Sequence, residues 1–519
     1  MKITRHEFLA LAGRTAAGAA AASTLPLLGS EAIAQDVSHS AVVKRIHDLI
    51  ASQKEAHIAR VQADLRQPSV SSWNMGITEM ADRMVASFRE LGCKEAELVK
   101  TDGFPGVWAF YDAGAPKTIV VYMMYDTQPF VKERWSKDPL AAERVPMGDF
   151  REVILARGAV NSKGPNRFFL NACQSIIEVN GKLPVNVMFT CDGEEEQGSP
   201  HFHQVLAPYR DRLKRANALL DAGPAQQPDG SVSMTLGNKG ILEFELEAAG
   251  ELWGRGPQKM PIHSSRKAIL DSPVWRLVDA LRSMYDPAQN KILIDGFYDA
   301  IRPPNEEELR LMDALIRKFP DRLFASEREN VKALMNDWTP AEAAMRLTFD
   351  TTMNIDGIWG GYTGPGSATI LPERAAAKID CRLVPNQEIA KQQELVLDHL
   401  KRKGFSDLRF TLIGGGMEWS QTSASEPVVQ AVLSVYKNAG IEPMVWPRSA
   451  GSSPQYEYTR KLGLPAAGGG LGHGGRAHSD DEYIVIEGND RVAGIVKAEQ
   501  AIVDVLFAYA AFPEKPRKT

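Results

Sequence analysis

The 519-residue sequence has few cysteines and no strong excess of either charge. Its four cysteines are widely separated, which argues against a disulfide framework. The net charge is −5, and no basic block is interleaved with aromatic residues, so no nucleic-acid partner is expected. Beyond the first segment, no apolar run reaches the roughly 20 residues that span a bilayer. The composition favours a small-molecule or peptide ligand and a mature chain without a membrane span.

Residues 1–35 have the features of an export signal. A basic start precedes the small apolar stretch Thr15–Leu28, and Ala32-Ile33-Ala34 supplies the small residues typical of a cleavage site. The segment around Arg5 is similar to a twin-arginine signal, with His6 at the position of the second arginine. We therefore exclude this segment from the fold and predict a periplasmic or secreted protein.

Short apolar runs alternate with helical patterns in the first half of the mature chain. The runs Thr118–Tyr125, Val185–Thr190 and Ala218–Ala222 have the length of buried strands, and Arg167–Val179 has a helical pattern. This alternation predicts βαβ units. The expected fold class is α/β, with a mostly parallel sheet flanked by helices.

The pattern changes between about residues 237 and 414. Apolar and charged residues alternate over Ile241–Leu246, and a charged helical stretch covers 306–335. We predict an inserted α+β domain over 237–414 that divides the main domain into residues 36–236 and 415–519.

Acidic residues follow each of the three predicted strands. Glu194-Glu195-Glu196 come after the second strand, whereas Asp126 and Asp221 end the other two. Ligands of open α/β sheets bind at the carboxyl ends of the strands, so these carboxylates can hold a cation or move a proton. A structural alternative exists for the glutamate run, which could complement a helix N-terminus that has Ser199 as its cap and Pro200 in its first turn.

His478 lies on a late glycine-rich loop and adds an imidazole to this set. Carboxylates and imidazoles are the ligands that hard and borderline divalent metals require. Taken singly, Asp126 and Asp221 are better explained as turn caps and His478 as a surface histidine. Taken together, the strand-end and loop positions favour a metal site.

A series of motifs runs in order along nearly all of the mature chain. They are Tyr125–Pro129, Arg157-Gly158-Ala159, Lys163-Gly164, Glu194–Ser199, Asp221, Ile262-His263-Ser264, Gly296–Asp299, Gly364-Pro365-Gly366, Arg382–Pro385 and His478–Tyr483. In this order they resemble the co-catalytic metallopeptidases that include carnosine dipeptidases, glutamate carboxypeptidases, aminoacylases and succinyl-diaminopimelate desuccinylases. The Gly296–Asp299 segment and the long insert indicate the dipeptidase branch.

The resemblance implies a metal-dependent hydrolase that cleaves the amide bond of a dipeptide, an N-acyl amino acid or a related small amide with a carboxylate. It makes Glu195 the general base and places Glu196, Asp221 and His478 among the metal ligands. The inserted domain would then act as a lid and a dimerisation domain, so the resemblance also implies a homodimer.

Two further roles come from the same resemblance. His263 matches the residue that stabilises the tetrahedral oxyanion across the dimer interface, and Arg382 matches the residue that grips the terminal carboxylate of the substrate. A guanidinium group suits that task because its donors form a fork. The alternative for Arg382 is a structural ion pair with Asp380.

The chain departs from the family pattern at two metal positions. Met124 stands where the family has a histidine that Asp126 would orient, and Asn161 stands at the bridging carboxylate. A thioether is a soft donor, and a neutral amide cannot offset two dications, so a dinuclear zinc centre is disfavoured. We predict one metal ion per subunit at most, held by Glu196, His478 and the Asn161 carbonyl. Zinc is expected, with manganese or cobalt as alternatives.

Other residues could compensate for the missing ligand. Asp126 could itself bind a metal or hold a water, and His201, His203 or His473 could replace the lost imidazole, although solvent or supporting positions suit these three histidines better. A different functional class also stays open. Met124 and Asn161 are compatible with a non-catalytic descendant that binds peptides or amino-acid derivatives.

Overall fold

The computed structural model describes residues 40–324 and 330–513. The predicted export signal, residues 1–35, lies outside the described residues. The helices of ten residues or more are α1 Ala41–Ser52, α2 Lys54–Arg66, α3 Ile77–Leu91, α4 Lys163–Asn180, α5 Pro273–Met284, α6 Glu306–Lys318, α7 Pro340–Phe349, α8 Ile389–Arg402, α9 Pro427–Asn438 and α10 Ile495–Ala511. Within the described ranges, no helix combines the length and apolar character needed to cross a membrane.

The strands are short, and several consist of two residues. They are β1 Glu95–Val99, β2 Gly106–Tyr111, β3 Thr118–Met124, β4 Glu143–Met147, β5 Phe150–Leu155, β6 Asn186–Asp192, β7 Ala218–Ala222, β8 Ser233–Thr235, β9 Gly240–Ala249, β10 Ile262–His263, β11 Tyr285–Asp286, β12 Lys291–Ile292, β13 Thr352–Gly360, β14 Ile370–Leu371, β15 Arg374–Leu383, β16 Arg409–Leu412, β17 Met444–Trp446, β18 Ala466–Gly469, β19 Gly474–Gly475 and β20 Tyr483–Glu487.

A six-stranded sheet forms the centre of the molecule, with the order β1-β2-β6-β3-β7-β18. The pairs from β6 through β3 and β7 to β18 are parallel, and β1 and β2 are antiparallel at one edge. Apolar side chains on both faces of this sheet pack into buried clusters with the helices. Because both faces are buried, these strands are continuous apolar runs in the sequence. The predicted α/β class with a largely parallel sheet is confirmed.

A second sheet, β13-β15-β9-β16, is antiparallel throughout. Leu242, Phe244 and Leu246 alternate with more exposed residues along β9 and pack on one face of this sheet with α5 and α8. The alternation in the sequence therefore corresponds to a sheet with a single apolar face. After β16 the chain returns to the central sheet, where β18 pairs with β7.

The charged helix of the inserted segment is shorter than the stretch 306–335 predicted from the sequence. Helix α6 begins at Glu306, where Asn305 and Glu308 form a capping box, and it ends at Lys318. Pro320 follows two residues later, and a proline there cannot continue the helical hydrogen bonds. The prediction was therefore right for the start of this helix and wrong for its end.

A buried carboxylate, Glu482, joins the small sheet β19-β20-β5-β4 to the loop that follows β5. It accepts hydrogen bonds from the Arg157 guanidinium at 2.7 Å and from the backbone N–H groups of Gly158, Val160 and Asn161 at 3.1, 2.9 and 2.9 Å. Glu482 is fully buried, and Arg157 is 2% exposed. Four donors on one carboxylate fix this loop just before α4 begins.

The Glu482→Gln variant tests this role. It removes the charge that compensates the buried Arg157, and an uncompensated buried charge costs about 3–5 kcal/mol. We expect a clearly lower Tm in thermal denaturation followed by circular dichroism. The matched control is Glu487→Gln, because Glu487 is a half-exposed partner of Lys54 whose loss should cost about 1 kcal/mol or less. Equal losses in both variants would contradict the assignment.

Candidate active site

The carboxyl ends of β3 and β6 lie side by side, with Met124 paired in register to Asp192. Asp126 follows β3 and is fully buried. Its two carboxylate oxygens accept hydrogen bonds from the backbone N–H groups of Glu195 and Glu196, each at 3.1 Å. Asp126 therefore holds the turn Glu195–Gln197 through its backbone.

The hydroxyl of Ser71 also donates to Asp126, at 2.8 Å. Burial and the neighbouring Asp192 raise the pKa of Asp126 well above its usual range. Met124, at the family's histidine position, is buried, and its carbonyl accepts a hydrogen bond from the Asn166 amide at 2.7 Å. The interactions of Asp126 are thus those of a group that positions the turn.

The glutamate run does not complement a helix capped by Ser199, which was the structural alternative. Residues Glu195–Gln197 form a short 3-10 turn that ends at Gly198. The next helix covers only Phe202–Leu206 and has His201, not Ser199, at its N-cap. Glu195 and Glu196 can therefore serve the crevice at the end of β6, whereas the carboxylate of Glu194 contacts His201.

Three side chains converge on the carboxylate of Glu196. The amides of Gln128 and Asn161 each donate to it at 2.7 Å, and His478 Nε2 lies 3.2 Å from it. Asn161 Nδ2 and His478 Nε2 are 3.0 Å apart. The structure thus brings together Glu196, Asn161 and His478, which the sequence assigned to one metal site.

Glu196 and His478 differ in exposure. The Glu196 side chain is 4% exposed, and burial raises its pKa, whereas Gln128 and the nearby His478 act to lower it. The His478 side chain is 56% exposed, and its backbone has a φ of +62°, which non-glycine residues seldom adopt. The loop therefore presents the imidazole from the solvent side onto a buried carboxylate.

Glu195 faces a cavity of about 190 Å³ at the ends of β3 and β7. The cavity is lined by Tyr122, Met123, Met124, Asn161, Ser162, Asn166, Glu195, Leu219, Asp221, Ser453, Pro454, Gln455 and Tyr458. Burial raises the pKa of Glu195 to about 7, and the like charges of Glu196, Asp192 and Asp221 add to this effect. Glu195 therefore titrates close to neutrality, which suits a general base.

Asp221 is the next-to-last residue of β7 and also lines the cavity. Desolvation by the surrounding protein raises the pKa of Asp221 to about 6, although the residue keeps an exposed surface that lines the cavity. It shares the cavity with Glu195 and Asn161, whereas His478 contacts Glu196 and Asn161. The predicted ligands are thus divided between two neighbouring positions.

The donor set at Glu196 suits one cation. Two ligands about 2.0 Å from a tetrahedral zinc ion lie roughly 3.3 Å from each other, and the Glu196 and His478 donor atoms are separated by 3.2 Å. The amide of Asn161 would supply an oxygen if it were rotated. Its nitrogen now faces both neighbours.

The position around Asp221 does not suit a second cation. Met124 offers a thioether there and Asn161 a neutral amide, neither of which replaces the imidazole or carboxylate that a zinc or manganese ion prefers. Across residues 40–324 and 330–513, no three His, Cys, Asp or Glu side chains form a group that could hold a metal ion. Glu196 and His478 thus lie together without a third ligand of these types, and a cation beside them would depend on the amide of Asn161.

Two predicted substrate residues lie on the inserted segment. His263 is exposed on β10, where its ring contacts the hydroxyls of Ser265 at 2.9 Å and Thr369 at 3.0 Å. Arg382 on β15 pairs with Asp380 at 3.0 Å, so the structural ion pair considered from the sequence is present. Arg382 also donates to the Ser452 hydroxyl at 3.2 Å, which joins the inserted segment to the loop beside the cavity.

Two of the alternative histidines are engaged elsewhere. His473 is buried between the carbonyl of Gln226 at 2.7 Å and the hydroxyl of Tyr483 at 2.9 Å, and burial lowers its pKa. His201 contacts the Glu194 carboxylate at 2.8 Å. Both histidines therefore make contacts within the protein and do not contact Glu196 or Asn161.

The sequence analysis assigned no role to Gln128 or Ser71, each of which contacts a carboxylate of the site directly. Gln128 had a weak signal, because it follows Asp126 by two residues after a strand end. Ser71 had none, because its contact with Asp126 crosses 55 residues of sequence.

Fold and site together define a class, the hydrolases of the metallopeptidase type. At the edge of the α/β sheet, Glu195 has a pKa of about 7 and lies beside the pair formed by Glu196 and His478. Comparison with known proteins agrees. A family model, Peptidase family M20/M25/M40, matches residues 120–502. The chain belongs to this family, which makes it a peptide-bond hydrolase. The resemblance found in the sequence is confirmed.

Individual relatives support the assignment. The Cys-Gly metallodipeptidase DUG1 of Candida albicans is 24% identical over 465 residues, which cover 85% of this chain and 93% of the relative. The crystal structure of the M20 family metallo-carboxypeptidase Sso-CP2 from Sulfolobus solfataricus has a TM-score of 0.78 and 32% identity, covering 88% of this chain and 99% of that one. The di-peptidase Dug1p of Saccharomyces cerevisiae shares the fold, with a TM-score of 0.72, 21% identity and coverage of 91% and 99%.

The raised pKa of Glu195 predicts a pH-dependent stability. A glutamate in an unfolded chain has a pKa of about 4.3, so the contribution of this group to stability is complete below that pH and is lost as pH rises through about 7. We expect metal-free Glu195→Gln to have a higher Tm than the wild type at pH 8, and the difference to vanish towards pH 4.5. Exposed Glu90→Gln is the control. A gain of equal size at both pH values would disprove the shift.

Proposed function

We propose that the protein is an exported, homodimeric dipeptidase whose active site uses one metal ion. Its substrate is a dipeptide, an N-acyl amino acid or a related small amide that carries a carboxylate. The observation that carries the proposal is the position of Glu195, which lines a cavity directly beside the Glu196, Asn161 and His478 group.

Glu195 performs the proton transfers in this proposal. It takes a proton from the attacking water as the carbonyl carbon is attacked, and it then gives that proton to the leaving amine. Glu196, His478 and Asn161 would hold the cation, which supplies Lewis-acid polarisation of the carbonyl when it is bound. Asp126 keeps Glu195 in place through the backbone of the turn.

The substrate's terminal carboxylate would bind Arg382. The guanidinium lies at the junction between the inserted segment and the cavity loop, where it donates to Ser452. Asp380 already balances part of its charge, so we infer a moderate grip on the carboxylate. His263 would complete the site from the second subunit by stabilising the oxyanion.

The homodimer proposal draws support from β13. This strand is an edge of the four-stranded sheet, and it exposes Ile355, Ile358 and Trp359 by 46%, 54% and 44%. Sheet edges with large exposed apolar side chains are typical pairing surfaces. Export rests on residues 1–35 of the sequence.

The alternative is a descendant that binds peptides without cleaving them. Met124 and Asn161 favour it, because both departures weaken metal binding. The cavity and the Arg382 site would serve such a binding protein equally well.

Hydrolysis assays of wild type and Glu195→Gln separate the two functions. We expect the wild type to cleave unmodified dipeptides and the variant to lose at least about 100-fold in kcat, because general-base catalysis contributes 10²–10⁴-fold. The matched control is Gln197→Ala, because Gln197 lies on the same turn with an exposed side chain. A wild type that is inert across dipeptides and acyl amino acids, yet binds them, would favour the alternative.

Metal analysis after purification without chelator tests the stoichiometry. We expect one equivalent of metal per subunit at most, and Met124→His combined with Asn161→Asp should raise it towards two by restoring an imidazole and a bridging carboxylate. Zinc, manganese and cobalt are measured together by plasma mass spectrometry. Two equivalents in the wild type would disprove the mononuclear site.

A further inference from the structure

A pair of aromatic side chains lies near the turn Glu195–Gln197 without being part of the site described so far. Trp73 and Phe130 pack edge to face, with ring centroids 5.3 Å apart and an interplanar angle of 63°. Trp73 is 48% exposed, and so is Val131, the residue after Phe130. A group of large apolar side chains left open to solvent often marks a binding surface.

Trp73 is connected to Glu195 through Asp126. It ends the helical turn Ser71–Trp73, which lies against the turn Glu195–Gln197. The first residue of its turn donates to Asp126 at 2.8 Å, and Asp126 in turn binds the backbone N–H of Glu195 at 3.1 Å. Trp73 thus follows Ser71 by two residues, and Ser71 directly contacts Asp126, which positions Glu195.

Phe130 is connected to the same turn by a second route. Gln128 donates to the Glu196 carboxylate at 2.7 Å, and Phe130 follows Gln128 by two residues. Two residues of chain reach about 7 Å at most. The aromatic pair is therefore linked to the turn from both sides and lies beside Gln128 and Glu196, outside the lining of the cavity that Glu195 faces.

We propose that Trp73 and Phe130 form the subsite for an apolar side chain on the amino-side residue of the substrate, the residue whose carbonyl carbon is attacked. This inference rests on the proposed function. Arg382, which would hold the terminal carboxylate, lies on the inserted segment, so the leaving residue belongs on that side. In this proposal the attacked residue lies next to Glu195, and its side chain extends past the turn Glu195–Gln197 towards the aromatic pair.

The subsite predicts a ranking of substrates. An aromatic side chain covers more of the Trp73 and Phe130 surface than a methyl group does, so Phe-Gly should be cleaved with a higher kcat/KM than Leu-Gly, and Leu-Gly with a higher value than Ala-Gly. Discrimination by an apolar subsite amounts to roughly tenfold or more for differences of this kind.

The test compares these three dipeptides with wild type, Trp73→Ala and Trp73→Phe. We expect Trp73→Ala to lower kcat/KM for Phe-Gly about tenfold, mainly through KM, and to lower it far less for Ala-Gly. Trp73→Phe should recover part of the loss. Trp275→Ala is the matched control, because Trp275 is 61% exposed on α5 of the inserted segment. A uniform loss on all three dipeptides, or a wild type without preference, would overturn the proposal.

A binding measurement separates failure of the subsite from failure of the proposed function. If the wild type cleaves none of the three dipeptides, the subsite is tested with a Phe-Gly analogue whose amide is reduced to a methylene-amine. The proposed function itself has failed only if acyl amino acids are not cleaved either. Calorimetric binding that weakens in Trp73→Ala and not in Trp275→Ala supports the subsite. Binding that is absent or equal in all variants overturns it.

Discussion

The candidate active site depends on one buried carboxylate, Glu482, which holds two loops together. It receives the guanidinium of Arg157 and three backbone amides of one loop, the last of which belongs to Asn161, and it follows His478 by four residues. Asn161 and His478 meet at Glu196 because Glu482 fixes the loops that carry both. A buried carboxylate with four donors is held in one orientation, and Arg157 compensates its charge.

The contact between Asn161 and Glu196 depends on the residue at position 161 being an amide. An aspartate at position 161 would place two carboxylates within hydrogen-bonding distance, which is unfavourable unless a cation lies between them. The amide instead donates to Glu196, and Gln128 satisfies the second oxygen. An amide in place of a carboxylate at position 161 weakens a bridging metal site. The same amide stabilises the position of Glu196.

The sequence predicted the parts of the molecule that depend on local pattern. Apolar runs located β3, β6 and β7, and the rule that parallel strands share one carboxyl edge brought Asp126, Glu195 and Asp221 to one crevice. The sequence did not predict the contacts between distant segments. Ser71 reaches Asp126 across 55 residues, and the partners of Arg382 depend on how the inserted segment meets the cavity loop. Periodicity indicates which face of a helix or strand is buried, but it does not indicate which distant segment packs against that face.

The pairing of β18 with β7 has a consequence for how the protein is made. Asp221 lies in a strand whose outer edge stays open while the whole inserted segment is synthesised, because its partner β18 follows that segment in the sequence. An unpaired apolar strand edge is prone to wrong association. The central sheet is therefore completed only after the inserted segment has been synthesised, and a chain that stops before β18 lacks both the partner of β7 and His478 of the candidate site.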